Sequence, residues 1–257
     1  MTDVIVLCYH ALSPTWEADL STTPERFERQ IALLVARGYR GVTFSVAVAS
    51  ATGSERGRIV AVTFDDAYRS VLELARPVLD RFGLPATVFA PTDYIGATEP
   101  LRWPGIDHWD DGPHERELTP MSWPELRSLA DAGWEIGSHS GSHPRLTQLD
   151  DATLEDELAR SKAACEQHLG GDCSSLAYPY GDVNARVRAG TARAGYTAAA
   201  ALPRRLHSRD ALDWPRIGVY RADGDFRFRL KVSRPLIALR RSVAWDALDR
   251  LRGLRGS

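Results

Sequence analysis

Short apolar runs alternate with stretches of helical periodicity along the chain. Residues 4–9, 39–46, 60–64, 85–90, 134–137, 176–178, 196–201 and 214–220 each predict a buried strand. Phe27, Ile31, Leu34 and Val35 recur at helical spacing, after an N-cap at Thr23 and a first-turn proline at Pro24 and before a stop at Gly38. Further helices are predicted over 67–82 with a kink at Pro77, and over 122–132, 153–169 and 185–194. Such alternation predicts an α/β fold whose mostly parallel sheet closes, or nearly closes, into a barrel. Residues 92–119 follow no period, and a loop that long inside a compact domain is usually functional or disordered. Its Trp103 and Trp109 favour function, as flat faces on which a sugar ring could stack.

Residues 1–220 therefore read as one barrel domain and 221–257 as a basic amphipathic helical extension, with Leu236, Leu239, Val243, Leu248 and Leu251 at helical spacing. That extension either packs on the barrel with a solvated basic face or lies on an anionic membrane surface.

Composition narrows the function classes. The 257 residues are 44% hydrophobic and 26% charged with net charge −2, which leaves no overall nucleic-acid footprint. Cys8, Cys165 and Cys173 lack framework spacing; Cys8 reads as core, and the other two would pair only in an oxidising compartment. Residues 1–10 lack the regions of a signal peptide and read as a first strand, and no apolar stretch reaches membrane-spanning length. The expected location is the cytoplasm.

Three stretches carry chemistry. The run at 60–64 ends in Asp65-Asp66, and buried carboxylates at a strand's end need a metal, a proton or a helix N-terminus to face. His139-Ser140-Gly141-Ser142-His143-Pro144 follows the strand at 134–137 as a tight loop. Its two imidazoles with a strand-end aspartate would form a two-histidine, one-carboxylate metal set that leaves positions open. Tyr178-Pro179-Tyr180-Gly181 is a turn able to offer a backbone N–H to an oxyanion and a ring to a substrate.

The order Thr63-Phe64-Asp65-Asp66, His139-Ser140-Gly141-Ser142-His143, Tyr178-Pro179-Tyr180-Gly181 resembles the polysaccharide deacetylases, carbohydrate esterase family 4. Ala67-Tyr68-Arg69-Ser70, Pro85-Ala86-Thr87-Val88-Phe89 and Met121-Ser122-Trp123 extend the match over most of residues 58–181. The resemblance implies a distorted (β/α) barrel with fewer than eight strands. It implies Asp65 as catalytic base, Asp66, His139 and His143 as metal ligands, and the Tyr180 N–H in the oxyanion hole. The implied metal is zinc, with cobalt or nickel as substitutes.

Two departures stand out. Many members have an arginine where this chain has Ala177, and Arg216 is a candidate replacement; members also commonly end in a Leu-x-x-His motif, whereas no histidine follows Arg216. A branch resembling the poly-N-acetylglucosamine deacetylases begins with a strand ending in Tyr-His, as Tyr9-His10 does here, which implies His10 as the general acid. The expected reaction is hydrolysis of the acetamide of an amino sugar, with release of acetate. An O-acetyl esterase, a deformylase, a small-amide hydrolase or an inactive carbohydrate-binding barrel are the alternatives.

Overall fold

The computed structural model describes residues 3–52, 57–203, 205–206, 210–242 and 245. Two long strands, β1 (Asp3–Tyr9) and β5 (Arg58–Phe64), lie parallel in full register from Asp3↔Arg58 to Tyr9↔Phe64. Between them come a small parallel pair, β2 (Ala11–Leu12) and β3 (Ser21–Thr22), then α1 (Pro24–Ala36), β4 (Tyr39–Val42) and α2 (Phe44–Thr52). A π-helical turn (Val71–Ala75) and α3 (Arg76–Phe82) lead to β6 (Thr87–Ala90), α4 (Trp123–Asp131) and β7 (Glu135–Ser138). Then follow α5 (Asp151–Leu169), β8 (Ser175–Ala177), α6 (Ala185–Arg193), β9 (Ala198–Ala201), β10 (Trp214–Pro215), β11 (Ile217–Gly218), α7 (Asp225–Lys231) and α8 (Arg234–Arg241).

The strand order is β10-β9-β8-β7-β6-β5-β1-β11, with every pair parallel. β10 pairs with β9, while β11, one residue later, pairs with β1. The two ends of the sheet therefore meet at Arg216 and close the barrel that the alternating pattern predicts. If β10 and β11 count as one interrupted strand, then β1, β5, β6, β7, β8, β9 and that strand make a ring of seven among the described residues. An eighth strand, β4, pairs with the first half of β5.

Side-chain alternation sorts the strands into inner and outer faces. Val4, Val6, Ile59, Ala61, Phe89, Ala177, Ala198, Ala200 and Trp214 form the inner cluster, closed off by Phe44, Ala47 and Val48 of α2. The alternate residues pack outward against the helices, which is why both faces of these strands are apolar. By the same period, Cys8, His10, Thr63 and Asp65 extend the inward rows toward the C-terminal rim, where barrels of this kind place their chemistry.

The structure redraws several boundaries. The strand predicted over 39–46 ends at Val42, because Phe44, Ala47 and Val48 have the i, i+3, i+4 spacing of the helix that plugs the barrel. The strand predicted over 214–220 is split at Arg216. The helix predicted over 67–82 begins at Arg69, since Asp66 and Ala67 take left-handed turn conformations. It then runs unbroken to Phe82, and its irregularity is the π-helical turn Val71–Ala75 just ahead of Pro77, where a kink is predicted.

Of the extension, α7 and α8 pack on the barrel through Phe228, Val232 and Ile237. Val243, Leu248 and Leu251 fall outside the described residues. All three cysteines are free and buried. Among the described residues, no helix is long and apolar enough to cross a membrane.

Candidate active site

Two strand ends deliver a trio of motif residues to one place. Asp66 follows β5, His139 follows β7, and His143 returns to the same point after a tight loop. The ligand atoms of this trio all lie within 4.8 Å of one another. Asp66 Oδ1 is 3.4 Å from His139 Nε2 and 3.3 Å from His143 Nε2. His139 Nδ1 donates to the Ala177 carbonyl at 2.7 Å, which leaves a lone pair on Nε2 facing the carboxylate. Asp66 Oδ1 is buried and accepts no hydrogen bond. An orphaned buried carboxylate oxygen is costly, and two imidazole lone pairs beside it are a donor set for a divalent cation. Burial would raise the Asp66 carboxyl, but His139 and His143 hold it well below the usual carboxylate range. Burial would lower His139, yet Asp65 and Asp66 pull its pKa above the ordinary value. The site thus draws positive charge, as a metal centre must.

Backbone strain concentrates in the same turns. Six described non-glycine residues have left-handed φ angles, and five of them are Asp66, Ala67, Ser140, His143 and Tyr180; the sixth is Asp111. Each such residue costs on the order of 1 kcal/mol or more, and strain of this kind clusters where function dictates geometry.

Asp65 has different neighbours. Arg216 Nη1 and Nη2 donate to its two oxygens at 2.6 and 2.7 Å, and Nη1 also donates to Thr63 Oγ1. The Cys8 thiol donates to Asp65 Oδ2 at 3.4 Å. Burial would raise the Asp65 carboxyl, but the guanidinium holds it at about 2, so it is ionised at any working pH. The small inner side chains Ala61, Ala177 and Ala200 leave room for this fully buried arginine. Cys8, His10 and Asp65 form a second cluster within 4.8 Å. A cation there would face the guanidinium that already occupies both Asp65 oxygens, so this trio is a poorer metal site than Asp66, His139 and His143.

His10 stands beside Asp65 because Tyr9 and Phe64 are register partners and each chain advances one step. Its Nδ1 is buried without a hydrogen-bond partner. Burial lowers its pKa, against the pull of Asp66 and Asp65.

These groups lie in a cleft of about 750 Å³. Trp103 lines it and stacks on the His143 ring, with centroids 4.0 Å apart and planes at 22°; Trp109 lines it too. Tyr180 also lines it, with its ring edge-on to His143 at 4.8 Å and Arg145 lying over its face. Tyr178 does not line it: its side chain is buried outside the barrel and its hydroxyl donates to the Leu212 carbonyl. Arg216 contacts Asp65 rather than the open cleft. His108 and Tyr220 line the cleft without having been singled out, and Cys8, read as core, touches the carboxylate. Glu157 was missed as well, although it falls on the inward stripe Leu154, Leu158, Ser161, Cys165 of α5, where an acid must have a partner.

The polysaccharide deacetylase family model matches residues 52–199. The Bacillus subtilis (strain 168) protein YxkH, whose name assigns it provisionally to the polysaccharide deacetylases, is 26% identical over 193 residues, covering 74% of this chain and 61% of its own. A Staphylococcus epidermidis poly-beta-1,6-N-acetyl-D-glucosamine N-deacetylase is 24% identical over 174 residues, covering 64% of this chain and 55% of its own. The chain therefore spans roughly three fifths of the length of these curated relatives. A Streptococcus pyogenes deacetylase solved in complex with acetate superposes with a TM-score of 0.74 at 19% identity, over 90% of this chain and 98% of that one. At that identity the likeness speaks to fold alone.

Proposed function

Because the chain belongs to the polysaccharide deacetylase family, we propose that it removes the N-acetyl group from an amino sugar of a polysaccharide, oligosaccharide or glycan precursor, releasing acetate. The observation that carries this reading is the pairing of Asp66, His139 and His143 with an ionised Asp65 and an adjacent His10 in one cleft. The staphylococcal relative's named polymer makes β-1,6-linked N-acetylglucosamine the first substrate to test.

A divalent ion held by Asp66, His139 and His143, zinc in our reading, would polarise the acetyl carbonyl and acidify water. Asp65 accepts a proton from the attacking water, and Arg216 keeps it ionised and oriented for that task. The Tyr180 N–H donates to the developing oxyanion. His10, protonated, donates to the departing nitrogen; an amide nitrogen is a poor leaving group until it is protonated. Trp103 and Trp109 offer flat apolar faces to the sugar ring. The test is acetate release by the metal-loaded protein from N-acetylglucosamine oligomers, set against O-acetylated sugars, N-formyl sugars and small acetamides. Preference for any of the last three would replace this reading with the corresponding esterase, deformylase or amidase.

We also propose that the extension touches an anionic membrane. Phe226, 81% exposed, and Leu230 share one face of α7, and residues 226–241 hold six cations and no acid. Co-sedimentation with phosphatidylglycerol vesicles but not phosphatidylcholine vesicles is the expected result, and loss of binding in Phe226→Asp would locate the contact.

A further inference from the structure

The loop that carries both imidazoles is held from behind by a residue outside all three motifs. Glu157 on α5 is 4% exposed. Its Oε2 accepts the N–H groups of Gly141 and Ser142 at 2.8 and 2.9 Å, and its Oε1 accepts the Ser142 hydroxyl at 2.8 Å. Arg160, one turn along, pairs with Glu157 and also with Asp93. Asp93 N–H in turn donates to the Gly141 carbonyl at 3.1 Å, and Thr92 N–H to that of Ser140. The loop is thus bracketed on two sides. A Cβ on Gly141 would overlap the Arg160 guanidinium, so the backbone lies flush against this clamp.

A second relay runs from the same face of α5. Ser138 Oγ donates to Ser161 Oγ and accepts the Ser140 N–H, while Ser140 Oγ accepts the His143 N–H. Between the two relays sit the left-handed Ser140 and His143, which would relax to common backbone conformations if released. Relaxation would swing the His143 ring away from Asp66.

We propose that Glu157 is the positioning residue of the metal centre: through the Gly141 and Ser142 amides it fixes His143 against Asp66. This rests on reading Asp66, His139 and His143 as the metal site. A plain loop staple would stabilise the fold without changing how tightly the ion is held, so the two roles separate in a binding measurement.

The experiment is a cobalt titration of the metal-free protein, followed by the visible spectrum of the bound ion. The variants are Glu157→Ala, Glu157→Gln and Ser142→Ala, each with a thermal unfolding curve. Glu157→Ala is expected to weaken cobalt binding by about 10- to 100-fold and alter the spectrum, the range typical for residues that orient metal ligands. Glu157→Gln, which keeps an oxygen for both amides but loses the charge facing Arg160, should fall between it and the wild type. Ser142→Ala, which removes one hydroxyl contact, should cost less. If Glu157→Ala does not fold, the other two variants decide. Wild-type cobalt affinity and spectrum in a folded Glu157 variant, with only its unfolding temperature lowered, would overturn the proposal. Failure of the wild type to take up cobalt would instead overturn the metal reading, and this inference with it.

Discussion

Arg216 grips Asp65 with both terminal nitrogens, at 2.6 and 2.7 Å, from the single residue that separates β10 from β11. The family resemblance implies an arginine at position 177 for this purpose. Here that position is alanine, whose carbonyl accepts the His139 Nδ1–H, and the guanidinium arrives from the other side of the barrel. One buried pair therefore sets both the charge and the direction of the proposed base.

Removing the guanidinium should reverse the pH behaviour of Asp65. With Arg216 present, its folded pKa of about 2 lies below the ordinary 3.8. The pair's stabilisation is then fully present above about pH 4 and lost as pH falls toward 2. In Arg216→Met burial is opposed only by His139 and His10, so the folded pKa rises and the stabilisation that Asp65 contributes at neutral pH shrinks. Relative to wild type, urea unfolding should show a loss of about 3–5 kcal/mol at pH 7 and less at pH 4. The acidic limb of kcat/KM should move to higher pH.

Asp65→Asn should retain the metal and lose turnover. The amide keeps the shape but cannot accept the water's proton, and a drop of at least 10²-fold in kcat is expected. Elemental analysis beside the rate assay checks both halves; activity near wild type would remove Asp65 from the base role.

His139→Ala and Asp66→Ala should each lose the ion. Both delete a ligand, and His139→Ala also leaves the Ala177 carbonyl without its donor. Metal-to-protein ratios well below one after desalting are expected, with activity falling in parallel. Full metal content in either variant would place the ion elsewhere.

His10→Ala should slow amide cleavage far more than cleavage of an activated acetate ester, whose leaving group departs without a proton. A gap of about 10²-fold or more between the two effects is expected, as for a general acid. Equal effects on both substrates would assign His10 a structural role.

Much of this was legible in the sequence because parallel strands buried on both faces read as unbroken apolar runs, and residues 60–64 and 85–90 are such runs. The clustering of Asp66, His139 and His143 was legible because these residues sit within a few positions of strand ends. What escaped depends on contacts distant in sequence. Residues 43–48 interleave Thr43 and Ser45 with apolar Phe44, Val46, Ala47 and Val48, a short pattern that suits either a strand or a helix, and the barrel's open bottom selects the helix. Arg216 interrupts a strand because Asp65, 151 positions away, demands its charge. Glu157 is one of several acids on α5, and its neighbours Leu154 and Leu158 were the available clue.

The split between β10 and β11 also bears on when this protein becomes competent. The residue that joins the two edges of the sheet is the one that pairs with Asp65, so an open barrel would leave that carboxylate without its guanidinium. If Asp65 is the base proposed above, a chain with the first six ring strands formed but residues 214–218 undocked would bring Asp66, His139 and His143 together without a working base. On the proposed roles, ring closure and catalytic readiness would be one event.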